Sequence, residues 1–220
     1  MLTKNLINHN IPRLQLQDSV GKALQLINDF KISHLPVVAE KKLLGLISED
    51  DLLDVEDEKY TIEVLQDSFL QTAVPDNVHF LNAVSSSIQH DTSIVPIINS
   101  ETNFEGVITV TDMLKTLGNF SGADEIGGII VLEMARSQFA ISEISRIVES
   151  NDSTVLHLNT TTNHTTGLLT VTLHISKKEI ASIVATFERY DYDVVYSYGT
   201  EKFENEVSGN YQNLMNYLGI

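Results

Sequence analysis

The sequence predicts an α+β protein: two copies of a β-α-β-β-α unit, then one β-α-β-β-α-β unit. Three observations predict it. The stretch Gly45-Leu46-Ile47-Ser48-Glu49-Asp50-Asp51 returns as Gly106-Val107-Ile108-Thr109-Val110-Thr111-Asp112, with glycine, hydroxyl and carboxylate each displaced by 61 positions. An apolar strand carrying a proline precedes each copy, at Pro36 and at Pro96. In the second half, Leu169, Val171, Leu173 and Ile175 alternate with Thr170, Thr172, His174 and Ser176, the pattern of a half-buried antiparallel strand.

In chain order, Leu14-Gln15-Leu16-Gln17 alternates like a short strand, and Asp18-Ser19 offers an N-cap. Val20, Ala23, Leu24 and Ile27 then mark one helix face. Ile32 to Val38 reads as a strand entered through an extended step before proline. Glu40-Lys41-Lys42 is a turn, Leu43 to Ile47 a strand, and Ser48 opens a second helix. The segment from Val55 to Asp67 is an acidic loop leading to a short helix. In the second copy, Asp76 is expected to cap a helix carrying Phe80, Ala83, Val84 and Ser87. Ser93 to Ile98 and Gly106 to Ile108 are its strands, joined by the longer turn Asn99 to Asn103, and Thr109 opens a helix with Met113, Leu114 and Leu117.

Composition excludes several functions. With 30 acidic against 14 basic residues, the net charge is −16, which disfavours nucleic acid and anionic membrane surfaces. The absence of cysteine excludes disulfides and thiolate chemistry. No signal-peptide-like start is visible, and the apolar run Ile129 to Leu132 is far too short to span a bilayer, so a cytoplasmic location is expected.

The repeated junction has two chemical readings. A Ser or Thr followed three residues later by an acid is a capping box. The same geometry presents unpaired N–H groups and partial positive charge to an anion, with a first-turn carboxylate able to accept from the vicinal hydroxyls of a ribose. The recurrence of Ser48/Asp51 as Thr109/Asp112 inside a repeated frame favours the ligand reading.

A pair of such units, each with an apolar-Pro-apolar strand followed by Gly-h-h-[ST]-x-x-[DN], resembles tandem CBS domains over about residues 1–120. The resemblance implies two clefts between pseudo-symmetric repeats, with adenosine compounds such as AMP, ADP, ATP or S-adenosylmethionine as ligands. Thr109 and Ser48 match the family's phosphate-side hydroxyl, and Asp112 and Asp51 its ribose carboxylate. The strands around Pro36 (with His34 and Leu35) and Pro96 (with Ile94 and Val95), and the segments near Ile11 and Val74, match positions lining the base. Glu49 and Asp50 crowd the first junction with negative charge, whereas Val110 and Thr111 leave the second neutral. The Thr109/Asp112 cleft is therefore expected to be the occupied one, and an AMP-like ligand is favoured over ATP.

Beyond the hinge Phe120 to Asp124, Gly127 to Glu133 reads as a strand and Ile141, Ile144, Ile147 and Val148 as a helical stripe. Val155 to Asn159 is a strand with Leu156 and Leu158 on one side, and Thr160 to Gly167 a polar turn. Ile180, Ile183, Val184 and Phe187 form a helix, and Asp193 to Tyr198 the closing strand. This order is the ferredoxin-like split βαβ. After a CBS pair it resembles an ACT-type domain, and the whole resembles small stand-alone proteins of the acetoin-utilisation accessory type. The loop Met134 to Ala140 lacks the glycine usual in amino-acid-binding members, so assembly as a homodimer is favoured over amino-acid sensing. The expected division is 1–57, 62–120 and 127–199, with a tail 200–220 whose Phe203, Val207, Tyr211, Leu214, Met215 and Leu218 stand near helical spacing.

No catalytic constellation stands out. The seven histidines show no metal-binding spacing, and neither a P-loop nor a nucleophile elbow occurs. His34 reads as a cleft-wall or core residue. The expectation is a non-catalytic nucleotide sensor with no obligatory cofactor and an unidentified protein target. The alternatives are an assembly protein with unoccupied clefts, or an amino-acid sensor.

Overall fold

The computed structural model describes residues 1–199. They fall into two compact units that divide between Leu117 and Gly118.

In the first unit, α1 (Val20–Phe30) begins where the Ser19 hydroxyl accepts the Lys22 amide, and buries Val20, Ala23 and Ile27 along one face. It ends at Lys31, which adopts the left-handed conformation of a C-cap. The hairpin β1 (His34–Ala39) and β2 (Lys42–Ser48) leads into α2 (Glu49–Leu53), and a 3-10 segment covers Ile62–Ser68. The second repeat follows with β3 (Val74–Pro75), α3 (Leu81–His90), β4 (Ile94–Ile98), β5 (Phe104–Thr109) and α4 (Val110–Ser121). Both hairpins carry a register shift one residue after the proline, at Val37/Val38 and at Ile97/Ile98.

The hairpin registers explain the prolines. Pro36 lies opposite Leu46, and Pro96 opposite Val107. Leu46 exchanges both of its backbone bonds with Leu70, on the edge of β2 away from β1. Val107 likewise turns its carbonyl to the Asn8 amide, at 2.7 Å. Neither proline therefore faces a ladder group that needs the N–H it lacks.

The same crossings explain the motif glycines. Gly45 and Gly106 have φ of 145° and 147°, a conformation that side chains rarely adopt. A Cβ on Gly45 would meet Phe69 Cβ at 2.8 Å, and one on Gly106 would meet Ile7 Cγ2 at 2.5 Å. Residues 7–9 thus cross the second repeat as residues 69–71 cross the first. The opening residues of the chain are tied to the second repeat: the Thr3 hydroxyl donates to the Pro75 carbonyl at 2.6 Å, and its amide donates to Val78.

Several elements differ from expectation. Leu14 to Gln17 is no strand: Leu14 makes a single bridge to Val37, and the chain then turns as the Gln15 amide bonds the Asp18 carboxylate. Asp76 is not a cap, since its amide bonds Ile98 and the helix starts only at Leu81. In register with Ser19 stands His79, followed by the buried anchor Phe80. Leu114 is 68% exposed, because the buried face of α4 is set by Met113 and Thr116. The inserted residue of the second hairpin does lie in the turn, where Asn99 and Asn103 are bonded backbone to backbone.

In the second unit, β6 (Gly128–Met134), α5 (Ile141–Glu149), β7 (Val155–Thr162), β8 (Leu169–Ile175), α6 (Ala181–Arg189) and β9 (Asp193–Tyr198) follow in chain order. The antiparallel sheet has the order β7-β8-β6-β9, the ferredoxin-like arrangement. Ile130, Leu132, Val171 and Leu173 meet Ile144, Ile147, Ile183 and Phe187 in one core. Leu156 and Leu158 do not share a face. A register shift between Val155 and His157 leaves Leu156 40% exposed while Leu158 packs on the core. Thr160 to Thr162 extend β7 rather than turning, because they pair with Val171, Thr170 and Leu169. The loop after β6 forms a 3-10 turn at Arg136–Gln138. The helical spacing read between Phe203 and Leu218 lies outside the described residues.

Candidate functional site

Both junctions form at the end of an apolar strand. At the first, the Asp51 amide donates to Ser48 Oγ at 3.1 Å, and the Ser48 hydroxyl and amide both donate to the Asp51 carboxylate, a complete capping box. The helix it opens has five residues, and its first turn holds Glu49, Asp50 and Asp51. At the second, the Asp112 amide donates to Thr109 Oγ1 at 3.1 Å, and the Thr109 hydroxyl donates to Asp112 Oδ2 at 2.7 Å. This helix has twelve residues, with Asp112 as the sole acid of its first turn. The second junction is the better anion site on both counts: a longer helix and less competing charge.

A residue distant in sequence completes the second junction. Asn8 Nδ2 donates to Asp112 Oδ2 at 3.2 Å. Burial pushes the Asp112 carboxyl up, but the hydrogen bonds from Thr109 and Asn8 and the charge of Lys115 outweigh it and hold the group below its ordinary range. Asn8 also borders a cavity of about 280 Å³ shared with His9, Ile11, Arg13, Phe104, Glu105 and Gly106. Leu70 bonds Leu46 as Asn8 bonds Val107, so it takes the matching place at the first junction, where its side chain offers no donor.

The other expected residues divide. Ile11 lines the cavity just described. Leu35 and Ile94 are fully buried in the core of the first repeat, and Val74 and Val95 pack in the core of the second. Pro36 and Pro96 are buried within their strands. These six apolar positions therefore do not converge on one surface. His34 lies between the repeats: its Nδ1 is 3.0 Å from Ser33 Oγ and accepts from the Ser93 amide at 3.4 Å. Burial lowers the His34 pKa against the opposing charges of Asp91, Asp51 and Asp50. Asn8, His9, Arg13 and Phe104 escape a reading of the sequence. For Asn8 and His9 the signal is the internal symmetry, which places residues 7–9 over Gly106 as residues 69–71 lie over Gly45.

Among the described residues no group of three or more His, Asp or Glu side chains could hold a metal ion. None of the described helices is long and apolar enough to cross a membrane.

Residues 4–58 match the family model of the CBS domain. The first repeat is a CBS domain. The second follows its order of helix, hairpin and helix, with motif and prolines in register, so the first unit is a CBS pair. The CBS pair is similar to other proteins as well. Inosine-5'-monophosphate dehydrogenase of Methanocaldococcus jannaschii is 31% identical over 99 residues, which are 44% of this chain and 20% of that enzyme. The chain spans about a fifth of the length of such curated relatives, 20% and 23% in two cases. A solved CBS domain pair/ACT domain protein from Thermotoga maritima is 17% identical with a TM-score of 0.49, over 55% of this chain and 98% of that one. CBSX2, solved in complex with AMP, is 16% identical with a TM-score of 0.46, over 54% and 97%.

Proposed function

We propose that the CBS pair is a non-catalytic sensor that binds an adenosine nucleotide, AMP-like rather than ATP, at the Thr109/Asp112 junction. The observation that carries this reading is the asymmetry of the two junctions. Only the second combines a twelve-residue helix, a carboxylate held ionised by Thr109 and Asn8, and a cavity beside it bearing His9 and Arg13. In this reading the N-terminal end of the twelve-residue helix, beside Thr109, meets the phosphate, Asp112 accepts from the ribose hydroxyls, and the base lies toward Ile11 and Phe104. A cavity of about 280 Å³ is at the small end for ligands and suits a purine base. One guanidinium, Arg13, offset by Glu105 in the same lining, suits one phosphate better than three.

Binding between the repeats would shift their relative arrangement only by the ligand's differential affinity for the two states. The ferredoxin-like unit is read as the assembly element. Among the described residues its strand β9 lies at one edge of the sheet, with Val195, Tyr196 and Tyr198 at 50%, 55% and 65% exposure, an edge suited to a second copy.

The test is a thermal-shift and calorimetric titration of nucleotide-free protein with adenosine, AMP, ADP, ATP and S-adenosylmethionine, with GTP as control. AMP at about 100 times its dissociation constant should add about 2.7 kcal/mol. The gain should vanish in Asp112→Ala and persist in Asp51→Ala. A folded protein whose midpoint no adenine compound moves would overturn the sensor reading in favour of assembly alone.

A further inference from the structure

Resting on that reading, we infer that Asn8 is a positioning residue: its amide fixes the Asp112 carboxylate as a ribose acceptor and thereby makes the second junction selective for a vicinal diol.

Asn8 is held at three points. Its backbone amide donates to the Val107 carbonyl at 2.7 Å, which anchors it beside β5. Its side-chain Oδ1 accepts the Asn10 amide at 3.0 Å, which sets the orientation of the carboxamide. Its Nδ2 is thereby aimed at Asp112 Oδ2, 3.2 Å away. The same Oδ2 accepts the Thr109 hydroxyl at 2.7 Å. A carboxylate restrained by two donors on one oxygen loses its rotational freedom before the ligand arrives, so less entropy is lost on binding. Both lone-pair sites of Oδ2 are thereby used, and the two of the other oxygen, Oδ1, stay available to a pair of hydroxyls.

The matching position at the first junction is Leu70, which gives Asp51 no such donor. The selectivity therefore belongs to one junction and originates in a residue 104 positions from the carboxylate it orients.

The experiment uses the full chain and two variants. Asn8→Leu installs the side chain that the backbone already carries at the matching place in the first repeat. Asn8→Asp keeps the shape and opposes Asp112 with a second charge. Binding of AMP and of 2′,3′-dideoxy-AMP is measured by calorimetry, and the Asp112 carboxyl is followed by NMR as pH is lowered without ligand. Wild-type protein should prefer AMP by about tenfold or more, the scale of one charged hydrogen bond. In Asn8→Leu the ratio of AMP to dideoxy-AMP affinity should fall toward one, and the Asp112 titration should move up in both variants. Undiminished diol preference in a folded Asn8→Leu protein overturns the inference and leaves the sensor reading intact. If the wild type binds neither nucleotide, the sensor reading fails and diol selectivity with it. An Asp112 titration unchanged in both variants overturns the positioning role whether or not a nucleotide binds.

Discussion

The Ser33 amide donates to the Ser93 hydroxyl at 2.9 Å, and the two serines stand 60 positions apart, at the same place in each repeat. The bond joins the entries of β1 and β4 at the centre of the pair. Each strand also passes into a half-buried cluster that includes His34. Replacing Ser93 by alanine removes the acceptor of the Ser33 amide and should cost about 1 kcal/mol, read as a lower urea midpoint with an unchanged slope.

His34 makes the stability of the pair dependent on pH. Its pKa is lowered from 6.5 chiefly by burial, so the neutral ring is the form the fold accepts. The stability this confers is complete above pH 6.5 and is lost as pH falls from there through the lowered pKa, because the unfolded chain takes up the proton first. Denaturation midpoints measured from pH 8 to 5 should show a decline that His34→Gln reduces.

Gly106 should tolerate no side chain. Its φ of 147° and the Ile7 methyl that a Cβ would meet at 2.5 Å combine backbone strain with a clash against the crossing segment. Gly106→Ala should lose about 1–3 kcal/mol from strain alone. Gly167, at φ 72° with no atom within 4 Å of its missing Cβ, should lose about 1 kcal/mol as alanine. Thermal denaturation of the two variants compares them directly.

Tyr192 provides a marker for the second unit. Its hydroxyl donates to Glu143 Oε2 at 3.0 Å, and its pKa is pushed up to about 12 by burial, then by the hydrogen bond and charge of Glu143. The stability held by the neutral phenol is complete below its ordinary value of 10.0 and is lost as pH rises through about 12. Tyr192→Phe should cost about 1–2 kcal/mol at neutral pH and flatten the alkaline decline. Stability measured between pH 9 and 12 tests both.

Much of the fold was legible because it depends on local pattern. The stripe Val20, Ala23 and Ile27, the alternation from Leu169 to Ile175 and the paired prolines each report which face of an element is buried, and the structure buries those faces. The Ser48 and Thr109 caps were legible for the same reason, since donor and acceptor lie three residues apart. Legibility stopped where a competing local feature won. Asp76 looks like a cap, but the burial of Phe80 sets the start of α3. Leu156 and Leu158 alternate correctly, yet a shift in pairing turns one of them out.

By itself, then, the sequence determined the repeat, the order of its helices and hairpins and the two capping pairs, because spacing along a strand or helix dictates which side chains share a face. The charge difference between the junctions stands in the sequence, but only the tertiary structure decided which distant residue meets each of them. It brought Asn8 to Asp112 and Leu70 to the matching place, and it buried Leu35, Val74, Ile94 and Val95 in cores. The physical reason is that the crossing of residues 7–9 over Gly106 is a contact between distant segments. It is anchored by the backbone bond from Asn8 to Val107, which any residue but proline can make, and it leaves no periodic trace in the sequence.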